Sequence, residues 1–366
     1  METPRLHVRE IDVLKGFCIL CVVAIHAAFL ADTAIFRFLI DRAVLVFLVL
    51  FGVTSELWWR RSREQESGAT RRWYRGRLGR VLSAYWAMMT CWWLIVALWH
   101  RPDNDMTLAW PQVIITFLGS AAWVGTTWFV TIILQFILLM PVLRRVPGGL
   151  WSIPVLGVAA LSTWATAVFM LEVITAGKVV FGENVSDMYY YWAIFPRALW
   201  HVTAGIFIAR WWHARVGLFA MGLALVVTVA GAVYLTLERP VFWDDQARLK
   251  QLAVLHLLDV PLAIALLGLA RWLPLPGIVQ RALAWCGRWS WGIYLAHLLL
   301  HEVARIAGFD PTIHSHLVRA FYAVLLFGFG ALLAVGVQRA TLALAAVFPP
   351  ARGLAGTGAT RAPCSE

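Results

Sequence analysis

The chain has 366 residues, of which 61% are hydrophobic and 14% charged, and its mean hydropathy of +0.74 excludes an ordinary soluble domain. The net charge of +11 reflects basic residues gathered on one side of a series of apolar runs. That asymmetry matches an anionic lipid leaflet and gives no reason to expect nucleic-acid binding.

The expected class is all-α, a polytopic membrane protein with about ten transmembrane helices. Ten apolar segments are each long enough to cross a hydrocarbon core of about 30 Å. They run from Ile11 to Ala31, Ile40 to Trp58, Val81 to Leu98, Thr126 to Leu143 and Leu150 to Leu171. The remainder run from Trp192 to Ala209, Val216 to Leu235, Gln251 to Ala270, Leu283 to Val303 and Arg319 to Val347. Alternate connections collect Arg60, Arg61, Arg71, Arg72, Arg75, Arg77, Arg144, Arg145, Arg210, Arg271 and Arg281, which the positive-inside rule makes cytoplasmic. Acids such as Asp32, Asp103, Asp105, Glu183, Asp187, Glu238, Asp244 and Asp310 fall on the other side, so both termini are expected inside.

Residues 1–347 are expected to form one transmembrane domain and 348–366 a disordered cytoplasmic tail rich in Gly, Ala and Pro. The polar stretch Arg60 to Arg80 reads as a cytoplasmic loop, and Trp110 to Trp123 as a short interfacial or re-entrant piece. The first run has small residues after it, as a signal peptide does, but Glu10 and Asp12 interrupt a basic start and the run is long enough to be retained as a span. Cys18 and Cys21 share an apolar helix face and read as small packing residues.

Ionisable groups inside apolar spans are expensive and direct attention to function. Lys15 and His26 are 11 residues apart, close to three helical turns, which stacks them on one face about 16 Å apart. Counting along the ninth span brings His297 to the level of His26, with Tyr294 about one turn shallower. The eighth span carries His256 and Asp259 three residues apart at a similar level, and the sixth carries His201 and Arg197. For His201 or His256 alone, a hydrogen-bonded packing role competes with a functional one. His297, His301 and Glu302 suggest a metal pair with no evident third ligand, and no metal is expected.

This set suits acyl transfer from a thioester. A histidine takes the proton of an attacking hydroxyl, and cations hold an anionic donor a fixed distance away. A separation of about 16 Å is comparable with the flexible arm of coenzyme A. Lys15, Arg77 and Arg80 are then expected at the nucleotide end and His26 at the thioester, sharing a passage the arm threads. Outer-side Trp123 and Trp128 are candidates for stacking on a sugar.

Five stretches sharpen the reading. They are Arg9 to Gly16 continuing to His26, Phe47 to Gly52, Arg77-Leu78-Gly79-Arg80 leading to Tyr85, Trp128-Phe129-Val130 through Gln135 to Pro141, and Trp289-Ser290-Trp291-Gly292-Ile293-Tyr294-Leu295-Ala296-His297. In this order the chain resembles the acyltransferase 3 family of multi-spanning membrane O-acyltransferases. The resemblance implies His26 as catalytic base, Lys15 as its charged partner, Arg77 and Arg80 as donor-side cations, and Tyr294 and His297 as further site residues. It also implies acetyl-CoA or another acyl-CoA as donor, and a glycan or lipid-linked sugar as acceptor, in a bacterial inner membrane.

Three departures stand out: Lys15 where the family usually has Arg, Ile133 where many members carry Glu, and Phe51 where Ser is common. No esterase-like domain is expected after the last span. Depth alone suggests that Asp259 or His256 orients the reacting histidine. Two alternatives stay open: a secondary transporter with an intramembrane His/Asp proton relay, and a glucan succinyltransferase or amino-sugar N-acetyltransferase.

Overall fold

The computed structural model describes residues 9–31, 33, 39–62, 68–98, 128–146, 152–175, 194–211, 217–237 and 245–347. The tail 348–366, the segment from Trp110 to Trp123 and the outer acids Asp32, Asp103, Asp105, Glu183, Asp187, Glu238 and Asp244 lie outside them. The described residues are all-helical, with α1 (Arg9–His26), α2 (Ala43–Ser62), α3 (Ala69–Leu98), α4 (Trp128–Leu143) and α5 (Ser152–Thr175). There follow α6 (Phe195–Trp211), α7 (Gly217–Leu237), α8 (Asp245–Trp272), α9 (Gly277–Ile306), a 3-10 turn (Pro311–Ile313) and α10 (His316–Val347). Each expected span corresponds to a helix. Ala43–Ser62, Ser152–Phe169, Leu255–Trp272 and His316–Val337 are long and apolar enough to cross a membrane.

The expected loop from Arg60 to Arg80 is a correction. Helix α3 begins at Ala69, so Arg71, Arg72, Arg75, Arg77 and Arg80 are helical. Arginine is a good helix former, and hydropathy locates only the apolar part of a helix.

Two seams organise the bundle, and both rest on glycine. Along the α1–α9 seam, a Cβ on Gly16 would meet the Leu283 carbonyl oxygen at 1.9 Å, and one on Gly287 the Asp12 carbonyl oxygen at 1.8 Å. The α2–α6 seam repeats the arrangement, with Gly52 against the Val202 carbonyl at 2.2 Å and Gly205 against the Val49 carbonyl at 2.1 Å. Small residues that let backbones touch are the usual means of packing helices in lipid, where apolar surfaces gain little from leaving their surroundings.

Two prolines inside helices free carbonyls that tryptophans then occupy. Pro141 has no N–H for the Ile137 carbonyl, which instead accepts from Trp73 Nε1 at 3.0 Å and joins α3 to α4. Pro261 likewise releases the Leu257 carbonyl of α8, which accepts from Trp200 Nε1 of α6 at 3.3 Å. Gln135 Oε1 accepts from the Phe195 N–H at 2.9 Å, satisfying a first-turn donor of α6.

Helix α1 stops at His26, five residues short of the end of its apolar run. The Phe29 N–H reaches the Ala24 carbonyl at 2.9 Å and the Ala28 N–H the Ile25 carbonyl at 3.0 Å, a Schellman ending with Ala28 at φ 51°. Helix α9 ends in the same way, through Phe309 to Ala304 and Gly308 to Arg305, but with Gly308 at φ 85° in the left-handed position. Arg319 of α10 ties the two ends together, donating to the Pro311 and His314 carbonyls at 3.1 and 2.9 Å and to that of Ala28 at 3.4 Å. In the same connection Asp310 accepts from the Thr312 N–H and hydroxyl at 2.8 and 2.7 Å, which holds its carboxyl below the usual range.

Gly287→Ala is expected to cost about 1–3 kcal/mol, because the new methyl meets backbone that cannot yield. Gly76→Ala, with nothing within 4 Å, is expected to be neutral or stabilising. Thermal unfolding of both variants in one detergent checks the contrast.

Candidate functional site

The α1–α9 seam places the sequence candidates along one line. A cavity of about 390 Å³ opens between α1, α2, α3, α4 and α9, and Asp12, Lys15, Arg77, Arg80 and Arg288 bring charge to its wall. Arg77 and Arg80 repel the Lys15 ammonium, and Asp12, one turn before it, attracts it. Such a wall stabilises an anion with several oxygens. Away from these charges the lining is apolar and aromatic, with Phe47, Phe51, Phe129, Ile133 and Tyr294. Ile133 and Phe51, two of the departures from the family pattern, therefore both face this space.

His26 lies beyond the cavity, whose lining reaches Val22, one turn earlier on α1, and Tyr294 on α9. Among the described residues this cavity stops short of His26, with Tyr294 in its wall at that end. The Tyr294 and His297 rings are 5.9 Å apart, and the His26 ring lies 5.2 Å from that of His297 and 5.1 Å from that of His301. His297 therefore touches both His26 and Tyr294. His297 is fully buried, and its Nδ1 meets the Ile293 carbonyl at 3.0 Å. A carbonyl only accepts, so Nδ1 carries hydrogen; in the neutral ring Nε2 is then an acceptor, and it has no partner among the described residues. His301 Nδ1 pairs with the Tyr322 hydroxyl of α10 at 3.1 Å. Glu302 is bonded to Arg305 at 2.8 Å, so the suggested metal group of His297, His301 and Glu302 is divided among separate partners.

His256 and Asp259 belong elsewhere, which corrects their expected role beside His26. Asp259 Oδ2 accepts from His201 Nε2 at 3.2 Å and His256 Nδ1 at 3.4 Å, while Arg197 Nε donates to His256 Nε2 at 3.4 Å. All four side chains are buried. The guanidinium carbon of Arg197 lies 5.3 Å from the Trp128 ring centroid, so Trp128 joins this group as well as the mouth of α4. The physical reason is azimuth: α8 turns its His256 and Asp259 face to α6, whereas α9 faces His26. Ligand atoms of His201, His256 and Asp259 lie within 4.8 Å of one another, close enough to share a cation. Proton placement favours a network, since both imidazoles must carry hydrogen on the nitrogen nearest the carboxylate, and Arg197 supplies the balancing charge.

Several participants had no sequence signal of their own. Arg288, Asp12, Thr54 and Ser290 line the cavity, though Asp12 and Ser290 lie within quoted motifs. Glu56 of α2 binds Arg210 of α6 at 3.0 Å, and Arg210 caps the Arg144 and Val146 carbonyls at 2.7 Å each. Trp123 lies outside the described residues.

Over residues 8–338 the chain matches the acyltransferase 3 family, described as an acyltransferase domain. The chain belongs to that family and is a membrane acyltransferase. No curated protein and no solved structure matches it.

Because Asp259 bonds to His201 and His256, Asp259→Asn is expected to lower the thermal midpoint by several degrees while changing the rate per folded molecule less than tenfold. An unchanged midpoint with a hundredfold rate loss would return Asp259 to the reaction.

Proposed function

We propose that this protein transfers an acyl group, acetyl in the first instance, from acyl-CoA to a hydroxyl of a glycan or lipid-linked sugar. In this reading ten spans cross a bacterial inner membrane and both termini are cytoplasmic. The observation that carries it is the polarity of the α1–α9 seam: cations gather around Lys15 at one end, and the rings of His297 and His301 gather around His26 at the other. Lys15, Arg77, Arg80 and Arg288 hold the phosphates of the donor, and its pantetheine arm follows the aromatic wall toward Tyr294. The acceptor arrives from the outer side, where α1 ends.

At the far end His26 removes the acceptor's hydroxyl proton as the oxygen attacks the thioester carbon. The C–S bond then breaks, the coenzyme leaves as thiolate, and the proton passes from His26 to that sulfur. A thiolate is a good leaving group, so the demands on the protein are positioning and one base. Neutral His297 meets these demands by offering His26 a hydrogen-bond acceptor without adding a second positive charge. For the arm to reach His26, the Tyr294 side chain has to swing aside.

Purified protein given labelled acetyl-CoA and surface glycan is expected to form an acetyl ester. His26→Ala is expected to lose a factor of about 10²–10⁴ in kcat, the usual share of a general base. Full activity in that variant overturns the reading. Lys15→Ala is expected to act mainly on KM for acyl-CoA, with a weaker dependence on ionic strength than the parent. Steady-state kinetics at two salt concentrations checks this.

A further inference from the structure

We propose that His301 binds the acceptor substrate, and that the class it selects is a vicinal diol, the pair of neighbouring hydroxyls that a sugar ring presents. This rests on the reading of His26 as the base. His297 and His301 stand four residues apart on α9, about one helical turn, and flank the same His26 ring at 5.2 and 5.1 Å. The two flanks differ. His297 is fully buried and its ring lies 5.9 Å from that of Tyr294, a residue of the donor cavity wall. His301 is one turn further from that cavity along α9, and both it and His26 are partly exposed. The base therefore has a closed flank toward the donor and an open one at His301.

Hydrogen bonding gives the two flanking imidazoles opposite characters. His301 Nδ1 meets the Tyr322 hydroxyl at 3.1 Å, and Tyr322 is only 7% exposed. Among the described residues this is the one hydrogen bond that either side chain makes. A buried hydroxyl has a hydrogen to place, so the Tyr322 hydroxyl donates, Nδ1 accepts, and Nε2 of the neutral His301 ring carries the hydrogen. His297 is the reverse, with hydrogen on Nδ1 and Nε2 as the accepting nitrogen. Packing holds Tyr322 in place: its ring joins Val23 and Ala27 of α1 in one apolar cluster and lies 4.7 Å from the Phe309 ring. The charges beside His301, Glu302 and Arg305, bond each other at 2.8 Å.

An acceptor substrate meeting this open flank finds a base and an N–H donor side by side. One hydroxyl gives its proton to His26, and the hydroxyl on the next carbon accepts from His301 Nε2–H. Neighbouring hydroxyl oxygens of a sugar lie about 3 Å apart, roughly one hydrogen-bond length. Two rings with centres 5.1 Å apart span such a pair, one oxygen to each. The reacting proton still passes to His26 and on to the leaving thiolate, while His301 keeps its own. An isolated hydroxyl reaches His26 but leaves His301 unused.

The test is transfer by the full chain from labelled acetyl-CoA to surface glycan, either intact or oxidised with periodate and reduced with borohydride. That treatment cleaves vicinal diols and leaves isolated hydroxyls. The parent is expected to prefer intact glycan by about tenfold or more in kcat/KM. His301→Phe keeps a ring and removes both nitrogens; it is expected to raise KM for intact glycan about tenfold, the worth of one hydrogen bond, with KM for acetyl-CoA unchanged. In that variant the preference for intact glycan is expected to shrink to about threefold or less. Tyr322→Phe loses only the hydroxyl that orients His301, so it is expected to shift the same two quantities by about threefold, and it serves alone should His301→Phe not fold. An unchanged glycan KM, or an undiminished preference for intact glycan in the variants, overturns the proposal while leaving acyl transfer through His26 in place. No transfer by the parent to either glycan overturns the underlying reading, and this proposal with it.

Discussion

The contact of α1 with α9 is the constraint on which the rest depends. Gly16 and Gly287 let each helix lie against a carbonyl of the other, at a distance no side chain permits. Because the contact is backbone on backbone, register and rotation are fixed together. Lys15, next to Gly16, lines the same cavity as Arg288, while eleven residues further along α1 His26 meets His297 and His301. One seam therefore sets both ends of the candidate site.

Helix α6, seated on α2 through Gly52 and Gly205, carries a different polar group on the face it turns to α8. Arg197, His201, His256 and Asp259 form a buried network in which His256 links the guanidinium to the carboxylate and His201 holds the same carboxylate oxygen. In a membrane such charges persist only when paired. At the other end of the same seam Glu56 and Arg210 do similar work and tie α4's last carbonyls to α6. The Glu56–Arg210 network ties α6 to α2 and to the end of α4, and α2 and α4 are two of the helices that line the cationic cavity. The strained Ala28, where α9 has Gly308, stands two residues after His26 and turns the chain sharply at the His26 end of the site.

Much of this was legible in the sequence because hydropathy and helical rise are local. All ten helices follow from apolar runs, and the shared level of His26 and His297 follows from counting residues. Rotation about each helix axis and the choice of neighbour do not follow from counting. That is why Asp259 and His256 were given to His26 when they face His201, and why α3's arginines read as a loop. Arg288 and Thr54 reach the cavity through packing, and nothing in their own neighbourhoods announces it. Pro141 and Gln135 sit in a motif whose resemblance marks them, but only the folded chain shows Trp73 and Phe195 at their freed or offered oxygens.

The central claim is that a donor lies along the α1–α9 seam with its anionic end at Lys15 and its reacting carbon at His26. A structure of the protein with a non-transferable thioether analogue of acetyl-CoA tests it most directly. Phosphate oxygens are expected within hydrogen-bond reach of Lys15, Arg77 or Arg80, with Tyr294 displaced and the carbon that stands for the thioester carbonyl beside the His26 ring. An analogue bound elsewhere, or one bound at Lys15 with its far end turned away from His26 while Tyr294 stays in place, would contradict it.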